Sequence, residues 1–120
     1  MTRTEHKHLN TPDETRTFEK GKLDLVKTDN GTIGRLTLLP GWKWSEDVKP
    51  IAKTDSCQAA HLGYTISGRM KIVHDDGSEG EIGPGDVVAI EPGHDAWVVG
   101  DEPCISIDFG GYRKYALPST

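Results

Sequence analysis

Cysteine is scarce in this chain: Cys57 and Cys104 are the two among 120 residues. Two cysteines make neither a disulfide framework nor a zinc-ribbon spacing, and a pair of small, partly buried thiols is their plainest reading. There is no Cys-x-x-Cys, no HExxH, no nucleophile elbow and no phosphate-cradling glycine loop. Those absences remove the commonest signatures of dithiol redox, zinc-protease, serine-hydrolase and nucleotide chemistry. Long apolar runs are missing too. Nothing approaches the roughly 18 consecutive apolar residues of a membrane span, and Met1–Asn10 carries no signal-peptide core. A cytoplasmic protein without a membrane partner is expected. Basic residues never cluster: 14 Lys and Arg stand against 19 Asp and Glu, a net charge of −5. Nucleic acid is therefore not an expected partner. No repeat of the solenoid or propeller kind occurs.

What the chain does have is short strand signals closed by turns. LDLV and TIGRLTLL flank Asp29-Asn30-Gly31, and Asn-Gly between apolar runs predicts a hairpin whose turn positions take positive φ. Pro40-Gly41 ends the second strand. A second hairpin is expected from Arg69–His74, a turn at Asp75-Asp76-Gly77, and Glu79–Ile82. Asp86–Ile90 reads as a strand between two glycine-proline turns, with His94 and Asp95 in the turn that follows and a strand resuming at Ala96. Cys104–Phe109 alternates at period two. With no amphipathic helix in view, these signals predict an all-β fold, a small antiparallel β-barrel or jelly roll, in a single domain. The expected division is an arm or edge strand over 1–22, the barrel over 23–111 and a tail over 112–120.

Several residues are candidates for chemistry. Period two along Cys57–Ile66 puts Cys57, Ala59, His61, Gly63 and Thr65 on one face. The small neighbours leave room beside His61, as a cavity wall would. His61 is either a core or rim histidine held by one hydrogen bond, or a general acid–base or metal ligand. His94 and Asp95 are either surface-turn residues or part of a barrel mouth. Trp42, Trp44 and Trp97 fill core space or wall a ligand cavity, with Trp42 and Trp44 sharing a face if they lie on a strand. Glu46, Asp47 and Lys49 read as a solvated loop, and Ser45–Asp55 as a loop or lid. His6 and His8 in the N-terminal arm have no third ligand nearby in sequence. His74, beside a turn, is expected to be exposed.

Gly85–Gly100 resembles the second motif of the cupin superfamily, G-x5-P-x-G-x2-H-x3-N. Gly85 and Gly93 keep their places, while Glu91 stands for the proline, Ala96 for the metal-binding histidine and Gly100 for the asparagine. The first motif, G-x5-H-x-H-x3,4-E-x6-G, is similar to the stretch from Pro40-Gly41 to Ser67-Gly68. Counting back from Gly68 puts His61 at the glutamate. One alignment sets Asp47 and Lys49 at the two histidines, with eleven residues, Pro50–Ala60, before His61. The other sets Asp55 and Cys57 there. HDAWVVGDEP is similar to small bacterial cupins of unassigned role. The resemblance spans Leu23–Phe109 and implies a cupin β-barrel, and a homodimer as partner state. On the first alignment the usual metal site is lost, because lysine at neutral pH and alanine offer no lone pair.

Three functions follow from this resemblance. The first is a small-molecule-binding cupin whose cavity is lined by Trp42, Trp44, His61, His94 and Trp97, with no cofactor. The second is a metal-dependent lyase, isomerase or oxygenase holding zinc or iron through His61 and Cys57 with Asp55 or His94. The third is metal-free acid–base catalysis by His61, oriented by Asp95 or Asp108.

Overall fold

Alternating short runs become strands in the computed structural model, which describes residues 3–110. The order is β1 (Glu14–Phe18), β2 (Gly21–Thr28), β3 (Gly31–Leu38), α1 (Trp44–Asp47), α2 (Lys49–Ala52), β4 (His61–Ser67), β5 (Arg69–His74), β6 (Glu79–Ile82), β7 (Val87–Ile90), β8 (His94–Val99) and β9 (Cys104–Asp108). A six-stranded sheet runs β1-β2-β3-β9-β4-β7, and a three-stranded sheet runs β6-β5-β8. Every strand pairing is antiparallel. The fold class is therefore all-β, as the turn spacing predicts. The C-terminal tail, 112–120, lies outside the described residues, and none of the described helices is long and apolar enough to cross a membrane.

The core sits between the two sheets. Leu23, Leu25, Leu36 and Leu38 from β2 and β3 meet Met70 and Ile72 from β5 and Ala96 and Val98 from β8. These are the alternate residues of their strands, so one face of each strand is dry. The opposite face of β2 and β3 is covered by the N-terminal arm. Arg35 reaches the Leu9 carbonyl, Asn10 and the buried carboxylate of Asp24, the last at 3.1 Å. Asp13 accepts from the backbone N–H of Lys27 and Glu5 from that of Asp29. His6 and His8 remain on the surface of this arm.

Several local expectations differ from the structure. The first hairpin forms, but its two-residue loop is Asp29-Asn30, neither with positive φ, and Gly31 opens β3 instead. Ser45–Asp55 is not irregular throughout. It contains α1 and α2, and Asp47 is buried because its carboxylate accepts from the Lys43 backbone N–H at 2.8 Å, filling the end of α1. Trp44 thus opens a helix and does not share a strand with Trp42. His94 and Asp95 belong to β8 and not to a turn: His94 pairs with His74 of β5 and Asp95 with Val73. The same pairing leaves His74 only half exposed.

Glycine is required where β4 turns into β5. Gly68 has φ +78°, and a Cβ there would strike the Pro103 carbonyl oxygen. Gly68→Ala is strained by backbone conformation and by contact with main chain, whereas Gly80 on β6 has open space around it. Gly68→Ala is expected to lower unfolding free energy by about 1–3 kcal/mol and Gly80→Ala to leave it nearly unchanged. Urea denaturation of both variants checks the contrast.

Candidate functional site

The site begins with backbone. Cys57 lies in the loop before β4, and its N–H donates to the His94 carbonyl at 2.7 Å. Its own carbonyl accepts from Gly93 N at 2.7 Å and His94 N at 3.3 Å. This short ladder fixes a loop cysteine against the first residue of β8. His61 opens β4, and period two turns it inward with Gly63 and Thr65 while Leu62, Tyr64 and Ile66 face out. The inward face predicted for Cys57–Thr65 therefore forms, although only His61–Ser67 is strand.

One donor atom from each of Cys57, His61 and His94 lies within 4.8 Å of the other two. Cys57 Sγ stands 3.8 Å from His61 Nε2. The second nitrogen of each imidazole is tethered. His61 Nδ1 stands 3.4 Å from Asp108 Oδ2, and His94 Nδ1 stands 2.8 Å from the Glu91 carbonyl oxygen. A carbonyl only accepts, so Nδ1 of His94 carries a proton, and Nε2 is the ring nitrogen left for Cys57. Asp108 is buried at the end of β9, where its other oxygen accepts from Gly110 N. The rings of His61 and His94 meet edge to face at 5.5 Å, and His74 meets the far side of His94 at 5.8 Å.

Burial and pairing oppose each other inside this cluster. Burial pushes the Cys57 thiol up, but hydrogen bonding and positive charge from His61 and His94 outweigh it and bring it to about 6. Burial pushes His61 down, and Asp108 and the Cys57 thiolate outweigh that and raise it to about 9. The two form one thiolate–imidazolium unit. Cys104, buried without such partners, is pushed up to about 11.

The cluster opens onto a cavity between the sheets. Its empty space, counted out into the solvent at the mouth, is ≈ 560 Å³. Leu36, Leu38, Met70, Ile82, Val88 and Ile90 are the aliphatic part of the wall, and Trp42 and Trp44 belong to it as well. The cavity also touches Thr65, Ser106 and Asp108. Trp42 is held there by pairing of its carbonyl with Val98 N, and α1 is tied to β8 by Ser45 N donating to Asp95.

The structure separates the remaining sequence candidates. Trp97 alternates outward on β8, off the cavity wall, and carries the Lys43 ammonium 5.2 Å above its ring. Asp55 is exposed and is not in the donor group, where His94 stands as the third member. Asp95 bonds backbone at Ser45 and Ala96, so Asp108 is the carboxylate that faces His61. Asp47 accepts from the Lys43 backbone N–H before α1, and Lys49 lies in α2. Ala96 does face inward at the motif histidine position, but the imidazole comes from His94, two residues earlier on the same face of β8. The proximity of His74 has no sequence signal, because it depends on the β5–β8 register.

No protein-family model matches the sequence, and neither does any curated protein. Solved structures do match in shape. An oxalate decarboxylase from Lactobacillus farciminis, solved as a formate complex, aligns with TM-score 0.59 and 19% identity over 85% of this chain. The alignment covers 32% of the decarboxylase, so the present chain spans about a third of that protein. A Rhizobium leguminosarum protein of unknown function aligns with TM-score 0.62 and 15% identity, over 91% of this chain and 99% of its own. A Klebsiella pneumoniae protein with a double-stranded β-helix domain gives 0.56 and 21%, over 85% and 82%. The architecture is thus the cupin-like double-stranded β-helix.

The pH dependence of the metal-free cluster has a defined sign. Cys57 lies below its ordinary 9.0, so its stabilising contribution is complete above 9.0 and lost as pH falls through about 6. His61 lies above its ordinary 6.5, so its contribution is complete below 6.5 and lost as pH rises through about 9. The ion pair therefore spans the interval between. Ultraviolet thiolate absorbance of chelated protein is expected to rise with a midpoint of about 6, and His61→Gln to move that midpoint toward 9.0.

Proposed function

We propose that the protein is a metal-binding cupin-fold protein whose centre, Cys57, His61 and His94, faces a cavity for a small molecule. The observation that carries this reading is the convergence of three donor atoms within 4.8 Å, with both imidazoles tethered through Nδ1. Tethering by a carboxylate or carbonyl is how histidine ligands to metals are oriented. The donor set fits the ion on chemical grounds. One thiolate and two imidazoles suit zinc, with Zn–S ~2.3 Å and Zn–N ~2.1 Å, and leave a fourth position open. Tetrahedral ligands at those lengths stand roughly 3.5 Å apart, close to the 3.8 Å between Cys57 Sγ and His61 Nε2. When bound, such an ion supplies Lewis acidity at the cavity floor. The chain's own contribution is to deprotonate Cys57, to orient His61 through Asp108 and His94 through Glu91, and to line the approach with apolar side chains.

A second reading has one observation in its favour. His61 with Asp108 at 3.4 Å is also the arrangement of a general acid–base histidine and its orienting carboxylate. Metal analysis separates the two. Natively purified protein is expected to contain about one zinc per chain, with Cys57→Ala, His61→Ala and His94→Ala each losing it. Asp108→Asn is expected to retain the fold and lower zinc affinity about 10–100-fold. Protein free of metal after native purification, with His61-dependent turnover that survives chelation, would favour the acid–base reading.

The proposal also places the protein in the cytoplasm as a homodimer. An apolar outer face supports the pairing: Leu62, Tyr64 and Ile66 of β4 and Val87 of β7 are exposed, Val87 at 77%. Tyr64 and Val87 are cross-strand partners, so the patch is continuous. Sedimentation velocity is expected to show a dimer that Val87→Glu converts to monomer.

A further inference from the structure

The loop that carries Cys57 is tied down by main chain and by side chain. The main-chain tie is the ladder from Cys57 to Gly93 and His94. The side-chain tie comes one residue earlier. Ser56 is buried, and its hydroxyl donates to Oδ2 of Asp75 at 2.8 Å. The same hydroxyl accepts from Nε2 of Gln58 at 3.1 Å. The Ser56 carbonyl accepts from Oγ1 of Thr54 at 2.8 Å and from Nε2 of Gln58 at 3.3 Å. Ser56 thus gathers the polar side chains of the loop, and Cys57 is the next residue.

Asp75 stands at the far end of that tie, the first residue after β5 in the turn to β6. Its own N–H donates to the Gly93 carbonyl at 2.9 Å. Its carboxylate lies against Gly93, where a Cβ would stand 3.1 Å from Oδ2. Gly93 in turn donates its N–H to the Cys57 carbonyl. Asp75 therefore reaches the anchorage of Cys57 from two directions, through Ser56 and through Gly93. Apolar burial adds little here. Between residues 53 and 60 the buried apolar side chains are Cys57 and Ala59, both small. A hydroxyl donating to a carboxylate belongs to the stronger class of hydrogen bond, so it weighs heavily in so lightly packed a segment.

We propose that Ser56 and Asp75 are the positioning residues of this centre: their hydrogen bond clamps the Cys57 loop to the β5–β6 turn and keeps the sulfur beside His61 and His94. The clamp acts through Cys57 and itself touches neither metal nor ligand. Where the centre holds zinc, the clamp sets how long the ion stays. That half rests on the metal reading of the centre, and the placement of the thiol does not.

Labelling of chelated protein with dithionitrobenzoate, read cysteine by cysteine through peptide mass spectrometry, tests the placement. Cys57 is 3% exposed and Cys104 fully buried. The reagent therefore reaches Cys57 when its loop opens, and Cys104, on β9, when the large sheet itself comes apart. Ser56→Ala and Asp75→Ala are each expected to speed labelling of Cys57 about tenfold, the worth of one hydrogen bond to a carboxylate, and to leave Cys104 unchanged. Asp75→Asn keeps an acceptor oxygen and is expected to fall between Asp75→Ala and the unmodified protein. Asp75 is exposed, so its variants carry the test should Ser56→Ala fail to fold. Ser78→Ala is the matched control. It removes a hydroxyl that donates to Asp76 at 2.7 Å in the same turn, and it is expected to change neither cysteine. Equal acceleration of both cysteines, an effect of Ser78→Ala as large as that of Asp75→Ala, or no acceleration overturns the inference. On zinc-loaded protein, Ser56→Ala and Asp75→Ala are expected to release the ion to excess chelator about tenfold faster. The two arms separate this inference from the one before it. Cys57-selective acceleration in protein that never takes zinc removes only the metal reading. Zinc binding with labelling and release both unaccelerated removes only this one.

Discussion

Three backbone hydrogen bonds between Cys57 and the Gly93-His94 pair hold the site together. Without them Cys57 belongs to a loop of small and polar residues with no reason to approach β8. With them, its sulfur is placed beside two imidazoles whose other nitrogens are already committed. The rest follows from strand geometry. His61 and His94 each stand at the first position of a strand, facing inward, and Asp108 at the last position of β9 reaches His61 across Gly63. Gly63 is constrained by the same approach, since a Cβ there would stand 2.5 Å from the Ile107 carbonyl oxygen.

Energetically the cluster is a polar island in a dry chamber. A lone buried thiolate or imidazolium is unfavourable, and each here is tolerated because the other is adjacent. Burial and pairing act in opposite directions on both groups, and pairing prevails. Arg35 of β3 performs a comparable service on the outer face of the large sheet, pairing the buried carboxylate of Asp24 while Leu9 and Asn10 of the N-terminal arm accept from the same guanidinium.

Much of the barrel was legible because period two and turn chemistry are local. The strands around Asn30, Asp76 and Pro92 all form. The inward face through His61 was legible for the same reason. What was not legible depends on register between distant strands. Nothing local to Gly93-His94-Asp95 distinguishes a surface turn from the start of a strand, and pairing with β5 decides it. Fixed motif spacing pointed at Ala96, and the imidazole is supplied one inward step earlier. Asp55 and Trp97 looked equivalent to Cys57 and Trp42 in sequence. They differ only in which way the backbone turns them, and for Trp97 the alternation of β8 decides that.

The three donors are not anchored alike. His61 and His94 are parts of strands paired along their length with neighbours, while Cys57 is pinned at its own backbone by the short ladder to Gly93 and His94. Segments held by few hydrogen bonds open at far lower free energy than the sheets that surround them. The centre is in effect a rigid jaw with a hinged latch. Under the proposed metal reading, opening of this one segment would suffice to load or release the ion without unfolding the barrel.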